Sequence, residues 1–127
     1  MKPTYTLLFF VTINCLLLSA QQNNSISQIS DVQIKNSWII VYNEKAKEIS
    51  RMPQAKYEVV GTATSFFVVT NSSWIITFNE KCKEIARMPL AKKQIKGAVG
   101  ETFTVLDNNT WIITYDKKCK EKSRRPK

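Results

Sequence analysis

The sequence predicts an all-β protein, built as an antiparallel meander of about ten short strands. Two observations support this fold class. A segment that begins with Trp recurs three times, and each copy alternates branched and aromatic runs with short polar turns. In addition, no stretch sustains the apolar spacing of three and four residues that an amphipathic helix requires.

The recurring segment defines three quasi-repeats of ~37 residues. It reads SWIIVYNEKAKEISRMP, then SWIITFNEKCKEIARMP, then TWIITYDKKCKEKSRRP. Its tryptophans, Trp38, Trp74 and Trp111, stand 36 and 37 residues apart. From Trp to Pro, the first two copies share 12 identities and the last two share 10. One unit is too small to bury its own aromatic residues, so we expect neighbouring units to cover one another.

Each unit is predicted to contain a strand that begins at Trp, a hairpin turn and a return strand. The turn is NEKA, NEKC or DKKC, and the return strand is KEISRM or KEIARM in the first two units. A further strand is predicted ahead of each Trp, and weaker strands between units, at 31–35, 57–60, 65–70, 94–98 and 101–106. The pattern leaves open whether the units form an open curved sheet, like part of a propeller, or a barrel-like body.

The first twenty residues have the layout of a secretory signal peptide. Lys2 supplies a positive start, an apolar run of 12 residues follows, and small residues lead up to Ala20. The run is shorter than the ~20 residues that a membrane-spanning helix needs. We therefore expect export, either to the periplasm or out of the cell, with cleavage near Ala20. A flexible N-terminal segment at 21–30 and a single β-repeat domain at 31–127 are expected to follow.

The composition disfavours catalysis. The chain has no histidine, which removes the commonest general base and the commonest metal ligand. Its scattered carboxylates stand in no motif for glycoside chemistry, and the sequence contains no phosphate-binding loop or metal-ligand motif. The sequence therefore predicts a protein that is not an enzyme and needs neither cofactor nor metal.

The tryptophans and a matching set of arginines are the first candidate binding residues. With a two-residue turn each Trp faces an Arg across its hairpin, which would make a cation–π ladder on the surface. With a bulged turn the partners become Met52, Met88 and Arg125, and the tryptophans belong in the core, which the flanking Ile-Ile favours. The candidate residues are Trp38, Trp74, Trp111, Arg51, Arg87 and Arg124.

Positive charge is the second candidate determinant. Without residues 1–20 the chain carries 18 Lys and Arg against 10 Asp and Glu, a net charge of +8. Most of the excess lies in 90–96, with Lys92, Lys93 and Lys96, and in the tail 117–127. Such a skew favours an anionic partner: an acidic polysaccharide, an envelope component or an acidic protein. We expect a small exported binding module; the alternative is a structural, envelope-associated protein that assembles through its sheet edges.

Cys82 and Cys119 occupy the same position in the second and third units. If neighbouring hairpin tips lie side by side, a disulfide between them would be possible in an oxidising compartment. If the tips are further apart than a disulfide reaches, the two residues stay separate thiols. The spacing alone leaves both readings open.

The Trp strand and its turn resemble two families of extracytoplasmic hairpin repeats, the WG-type and the YD-type repeats. WIITFNEKCKEI is similar to a Trp strand that leads into D/N-x-x-G-K, and TYDKKCKE is similar to Tyr-Asp-x-x-Gly. The glycine of both patterns falls on Ala46, Cys82 and Cys119, where a positive φ costs a residue with a Cβ about 1 kcal/mol. The resemblance implies a binding or structural module, without catalysis.

Overall fold

The computed structural model describes residues 28–127 as eleven antiparallel strands and confirms the all-β fold class. The predicted signal peptide at 1–20 lies outside the described residues. The part of the chain from Gln28 onward contains no helix long and apolar enough to cross a membrane. In chain order the strands are β1 (Asp31–Lys35), β2 (Trp38–Tyr42), β3 (Glu48–Pro53), β4 (Glu58–Thr62), β5 (Phe66–Thr70), β6 (Trp74–Asn79), β7 (Glu84–Pro89), β8 (Lys93–Val99), β9 (Thr102–Asp107), β10 (Trp111–Asp116) and β11 (Glu121–Pro126).

The strands form three separate sheets, one for each repeat, and none closes into a barrel. We call residues 28–56 unit 1, residues 57–90 unit 2 and residues 91–127 unit 3. Sheet 1 has the order β1-β2-β3, sheet 2 the order β4-β5-β6-β7, and sheet 3 the order β8-β9-β10-β11. Each Trp strand therefore lies between an earlier strand of its unit and the outermost strand.

The Trp hairpins share one register, and it differs from both registers considered in the sequence analysis. Trp38 pairs with Pro53, Trp74 with Pro89 and Trp111 with Pro126. Both predicted sets of partners, the arginines and Met52, Met88 and Arg125, are wrong by one or two positions. The cause is a longer turn together with an extra residue in the return strand, where the register shifts in every unit.

Sheet 2 lies between the other two and is buried on both faces. One apolar cluster joins it to sheet 1, and a second joins it to sheet 3. Alternate residues of β5 and β6 point into the two clusters, because side chains alternate across a strand. This is why β5 and β6 read as continuous apolar runs. Toward sheet 1 the fully or largely buried residues of unit 2 are Phe67, Val69, Ile76 and Phe78, and toward sheet 3 they are Phe66, Val68 and Ile75.

The sheets fan outward from their first strands. Sheets 2 and 3 approach most closely along β4 and β8. A Cβ added to Gly61 of β4 would lie 3.1 Å from the Cβ of Ala98 on β8, so the glycine permits this approach. Ile29, which falls in the segment expected to be flexible, is only 8% exposed and donates a backbone hydrogen bond to Thr64 (2.8 Å). The packed structure therefore includes Ile29.

Candidate functional site

Every Trp hairpin ends in the same tip. In unit 1 the side-chain oxygen of Asn43 accepts hydrogen bonds from the backbone amides of Lys45 (2.9 Å) and Lys47 (3.1 Å). Asn79 and Asp116 hold the other two tips in the same way. In unit 3 these backbone hydrogen bonds, first of all that from Lys120, lower the pKa of Asp116. An Asx side chain at this position thus fixes the turn from within.

The fourth residue of each tip has a positive φ although none is glycine. The angle is 61° at Ala46, 60° at Cys82 and 60° at Cys119. This left-handed conformation costs a residue with a Cβ about 1 kcal/mol or more. In units 2 and 3 the side chain offsets the strain by packing, because both cysteines lie against the apolar clusters between the sheets.

The tips of units 2 and 3 dock on the preceding unit through one hydroxyl each. Ser50 of β3 donates to the backbone carbonyl of Glu80 at 2.7 Å. Thr77 of β6 donates to the backbone carbonyl of Lys117, also at 2.7 Å. The two hydroxyls lie on different strands of the hairpin, Ser50 on the return strand and Thr77 on the Trp strand. They still occupy the same cross-strand pair of the repeat, because Ser50 pairs with Val41 and Thr77 pairs with Ala86. The repeat therefore contains a hydroxyl socket for the carbonyl of the next tip.

The two cysteines are free thiols in different clusters. Cys82 packs between sheets 1 and 2 and lies 3.1 Å from the Ser50 hydroxyl, whereas Cys119 packs between sheets 2 and 3. A disulfide between them is not formed, because consecutive tips dock on different sheets and do not lie side by side. Burial raises the pKa of Cys82, and it raises that of Cys119 to about 11. Both thiols are therefore protonated at neutral pH, the unreactive form.

Each unit carries a triad of Trp, Arg and Glu on its outer two strands. In unit 1 the guanidinium of Arg51 lies over the Trp38 ring, 5.4 Å from its centroid, and donates to both carboxylate oxygens of Glu48 at 2.8 and 2.7 Å. Units 2 and 3 repeat this geometry at 5.3 and 5.4 Å from the ring. The arginine hydrogen bonds lower the pKa of the glutamates in all three units. The members of the other two triads are Trp74, Arg87 and Glu84, and Trp111, Arg124 and Glu121.

The triads lie on the surface, so the interpretation of the tryptophans as core residues is wrong. Trp38, Trp74 and Trp111 are 38, 36 and 38% exposed. The exposed fraction of the Trp side chain is nearly the same in unit 1, which no other described unit precedes, as in units 2 and 3. The triads therefore lie outside the contacts between sheets. The true register differs by two residues from the one that pairs Trp with Arg. A shift of two keeps both side chains on one face, and so the Trp–Arg contacts of the surface alternative are present although the register from which they were expected is wrong.

The triads do not supply the positive charge of the protein, because each arginine is paired with a glutamate. The charge excess instead lies in unit 3, which has ten Lys and Arg against four Asp and Glu. Unit 1 has five against three, and unit 2 has three against three. Lys92 and Lys93 lie at the turn into β8, beside the β9–β10 turn that Lys127 contacts through Asn109 (2.7 Å). Lys96 lies further along β8.

The outer face of sheet 3, which we call the C-face, is polar where the equivalent face of sheet 2 is apolar. Lys122 stands where units 1 and 2 have Ile49 and Ile85, and Arg125 stands where they have Met52 and Met88. All of β11 is exposed. A shallow cavity of about 380 Å³ lies at the β8 side and is lined by Lys96, Val99 and Thr104 among others.

The outer face of sheet 1, which we call the N-face, carries a carboxylate at a position that is apolar in unit 2, and Lys35 lies on the same face. Asp31 and Gln33 stand at the positions of the buried Phe67 and Val69 of unit 2. A cavity of about 320 Å³ lies between β1 and the first hairpin tip. Its lining includes the carboxylates of Asp31 and Glu44 together with Ser30, Gln33, Tyr42, Asn43 and Ala46.

Sequence reasoning found the triad arginines and tryptophans but missed the glutamates that complete the triads and both end faces. The glutamates were visible at a constant spacing of three residues before each arginine, a spacing at which Glu and Arg form an ion pair here. From Gln28 to Lys127, no group of three His, Cys, Asp or Glu residues is placed to hold a metal ion. No protein-family profile, curated protein or solved structure matches the chain.

Proposed function

We propose that the protein is an exported, non-catalytic binding module that binds an acidic polysaccharide through the basic surface of unit 3. The observation that carries the proposal is the distribution of charge over three units of nearly equal backbone. Unit 3 holds a net charge of +6, whereas unit 2 holds none. Because the units share one fold, this asymmetry is not a requirement of the hairpin itself.

The basic side chains of unit 3 surround it instead of converging on one point. Lys92, Lys93 and Lys127 lie near the β9–β10 turn, Lys122 and Arg125 lie on β11, and Lys118 and Lys120 lie at the hairpin tip. An extended polyanion contacts such a distribution over its length, whereas a compact ligand would reach only part of it. These features favour a linear, acidic polymer of sugars.

Five of the ionisable groups that might perform chemistry are engaged elsewhere. The three triad glutamates are tied to arginines, and both thiols are held protonated by burial. This supports binding over catalysis.

Assembly through sheet edges, the alternative function, gains no support from the outer strands. β3, β7 and β11 each end in proline, and each carries a Glu–Arg ion pair. Proline and charge on an outer strand both oppose strand addition. We therefore place the function on the surface of unit 3.

The test is retention of the protein on columns of acidic polysaccharides and neutral glycans, at low and high salt. We expect retention on the acidic polymers that salt abolishes, because surface charge interactions are screened over about 8–10 Å at physiological ionic strength. Salt-resistant capture by a neutral glycan would instead place the site on the triads. No retention on any acidic polymer would contradict the proposal.

A matched pair of triple variants separates a site from mere net charge. Lys92→Gln, Lys93→Gln and Lys96→Gln remove three charges from unit 3. Lys35→Gln, Lys45→Gln and Lys81→Gln remove three from units 1 and 2. We expect the first variant to elute at clearly lower salt than the second. Equal elution of the two would show that unit 3 has no special role.

A further inference from the structure

We infer that two copies of the chain associate head to tail, the first hairpin tip of each copy docking on the C-face of the other. The partner is thus a second copy of this chain, and the contact is the one that already joins unit 1 to unit 2 and unit 2 to unit 3. This inference does not depend on the anionic partner proposed above, and the dimer would leave that partner the basic residues of unit 3 that lie off the C-face, at the β9–β10 turn and the hairpin tip.

At each end of the described chain one side of the docking contact has no partner: the hydroxyl position on the C-face at one end, and the hairpin tip of unit 1 at the other. We call these the two free halves of the contact. At the C-face, the socket position is occupied by Thr114 and by its cross-strand neighbour Ser123. In units 1 and 2 this position donates a hydroxyl to a tip carbonyl, that of Glu80 or of Lys117. The described residues provide no fourth tip to accept it in unit 3. At the other end, the tip of unit 1 is the one tip of the described chain that docks on no preceding unit, and the carbonyl of Glu44 stands at the matching position.

The charges of the two free halves are complementary. The apolar positions that seal the contacts within the chain become Asp31 on the N-face and Lys122 and Arg125 on the C-face. Glu44 adds a second carboxylate at the undocked tip. At Asp31, Lys122 and Arg125 the contact has therefore changed from apolar to charged, with opposite sign on its two sides, while Ile40 and Ile112 stay apolar. Two copies would meet through ion pairs beside these apolar residues, which gives an association that is reversible and sensitive to salt.

The number of units favours a closed dimer. The sheets, one of three strands and two of four, pack face to face with their first strands nearest one another, as the blades of a propeller do. Closed propellers have about 4–8 blades, and six is the only multiple of three in that range. Two copies of the chain from Gln28 onward supply six units, and both end faces of each copy are then covered.

The test is the molar mass of the mature chain, measured by light scattering during gel filtration over a range of concentrations and salt. We expect twice the chain mass at high concentration and low salt, and the chain mass in high salt. A chain that stays monomeric at every concentration and salt would overturn the inference, as would masses that grow beyond a dimer.

Charge reversal tests whether the two end faces form the contact. One variant carries Asp31→Lys and Glu44→Lys, and the other carries Lys122→Glu and Arg125→Glu; all four positions are exposed. Each variant alone should dissociate at least about tenfold more readily, since like charges then meet at both contacts. Mixed together they should form a heterodimer, because the two reversed faces then meet each other and the two unreversed faces meet each other, with opposite charges at both contacts. Failure of the mixture to associate, while both variants melt like the parent chain, would overturn the inference.

A control keeps this inference apart from the proposed function. Lys92→Glu with Lys93→Glu changes the net charge by the same amount as the C-face variant but lies at the turn into β8, off the end faces. We expect it to stay dimeric and to lose retention on acidic polysaccharides. If it dissociates as readily as the C-face variant, the association depends on net charge alone and the head-to-tail contact is wrong.

Discussion

Units 2 and 3 have the same strands, the same bulged hairpin and the same triad, yet the faces that they turn away from unit 1 differ. Val68 of unit 2 is fully buried, and Thr104 stands at the same position in unit 3, partly exposed on the C-face. Ile85 and Met88 pack in a core cluster, and their equivalents are Lys122 and Arg125. The backbone of the unit is thus set by the Trp strand and the tip. The residues on its two faces are set by whether another unit covers them.

Unit 1 shows the same rule on its opposite face. Phe67 and Val69 of unit 2 are buried against sheet 1, and Asp31 and Gln33 stand in their places where no sheet of the described chain covers them. Repeat proteins generally place polar residues on the outer faces of their terminal units. Here the substituted positions also differ in sign, acidic at Asp31 and basic at Lys122 and Arg125, and a purely solubilising cap does not require that.

The largest loss of stability is expected from placing a carboxylate at one position of the repeat that is buried in unit 2 and exposed in unit 3. Val68→Asp buries an unpaired charge between sheets 2 and 3 and should cost more than about 4 kcal/mol, enough to prevent folding of a small domain. Thr104→Asp puts the same group at the equivalent position of the C-face and should change stability by less than about 1 kcal/mol. Circular dichroism and urea unfolding measure both, in high salt, where the chain is expected to be monomeric. Similar losses in the two variants would show that the C-face is packed and not free.

A smaller effect is expected where units 2 and 3 approach most closely. Gly61→Ala places a Cβ 3.1 Å from the Cβ of Ala98, which should cost about 1–3 kcal/mol by overpacking. Ala98→Gly removes the opposing atom, so the double variant should recover part of the loss, as a double-mutant cycle of urea midpoints would show.

Gly100→Ala is the control for that cycle, since it adds a Cβ at the exposed turn before β9. Gly100 has a φ of 60°, and no atom lies within 4 Å of the added Cβ. Its cost of about 1 kcal/mol comes from the backbone alone, and Ala98→Gly should not relieve it. Equal relief for both glycines would mean that the Gly61 contact does not limit the approach of the sheets.

Much of the fold was predictable because the three copies of the repeat share enough identical residues to be aligned directly. Identity between copies located the Trp strand, the tip and the return strand, and the polar tips bounded them. The register was not predictable, since Ile49, Ile85 and Lys122 look like ordinary strand residues and only the folded hairpin shows that they are the extra residue of a bulge. The burial of the tryptophans depended on the parity of that register.

The candidate site was predictable only in part, and for a different reason. Charge can be counted along a chain, so the basic character of unit 3 was visible. Whether Lys122 or Asp31 lies at a free end depends on which sheets pack together, and hairpins of nearly identical sequence give no local signal of their order in space. Whether Cys82 and Cys119 form a disulfide likewise depended on which unit each tip docks on, and each docks on the preceding unit.

The smallest predicted effect concerns the docked tip of unit 3 in alkaline solution. Burial raises the pKa of Cys119 from 9.0 to about 11, so the folded state favours the protonated thiol more than the unfolded state does. The resulting stabilisation is complete below about pH 9 and is lost as the pH rises through about 11, and it should amount to about 1 kcal/mol because the thiol is partly exposed. Cys119→Ala, which copies the residue that unit 1 carries as Ala46, should lose less stability over that range. If the stabilities of the two proteins instead fall in parallel from about pH 8 to about pH 11, the tip does not bury its thiol.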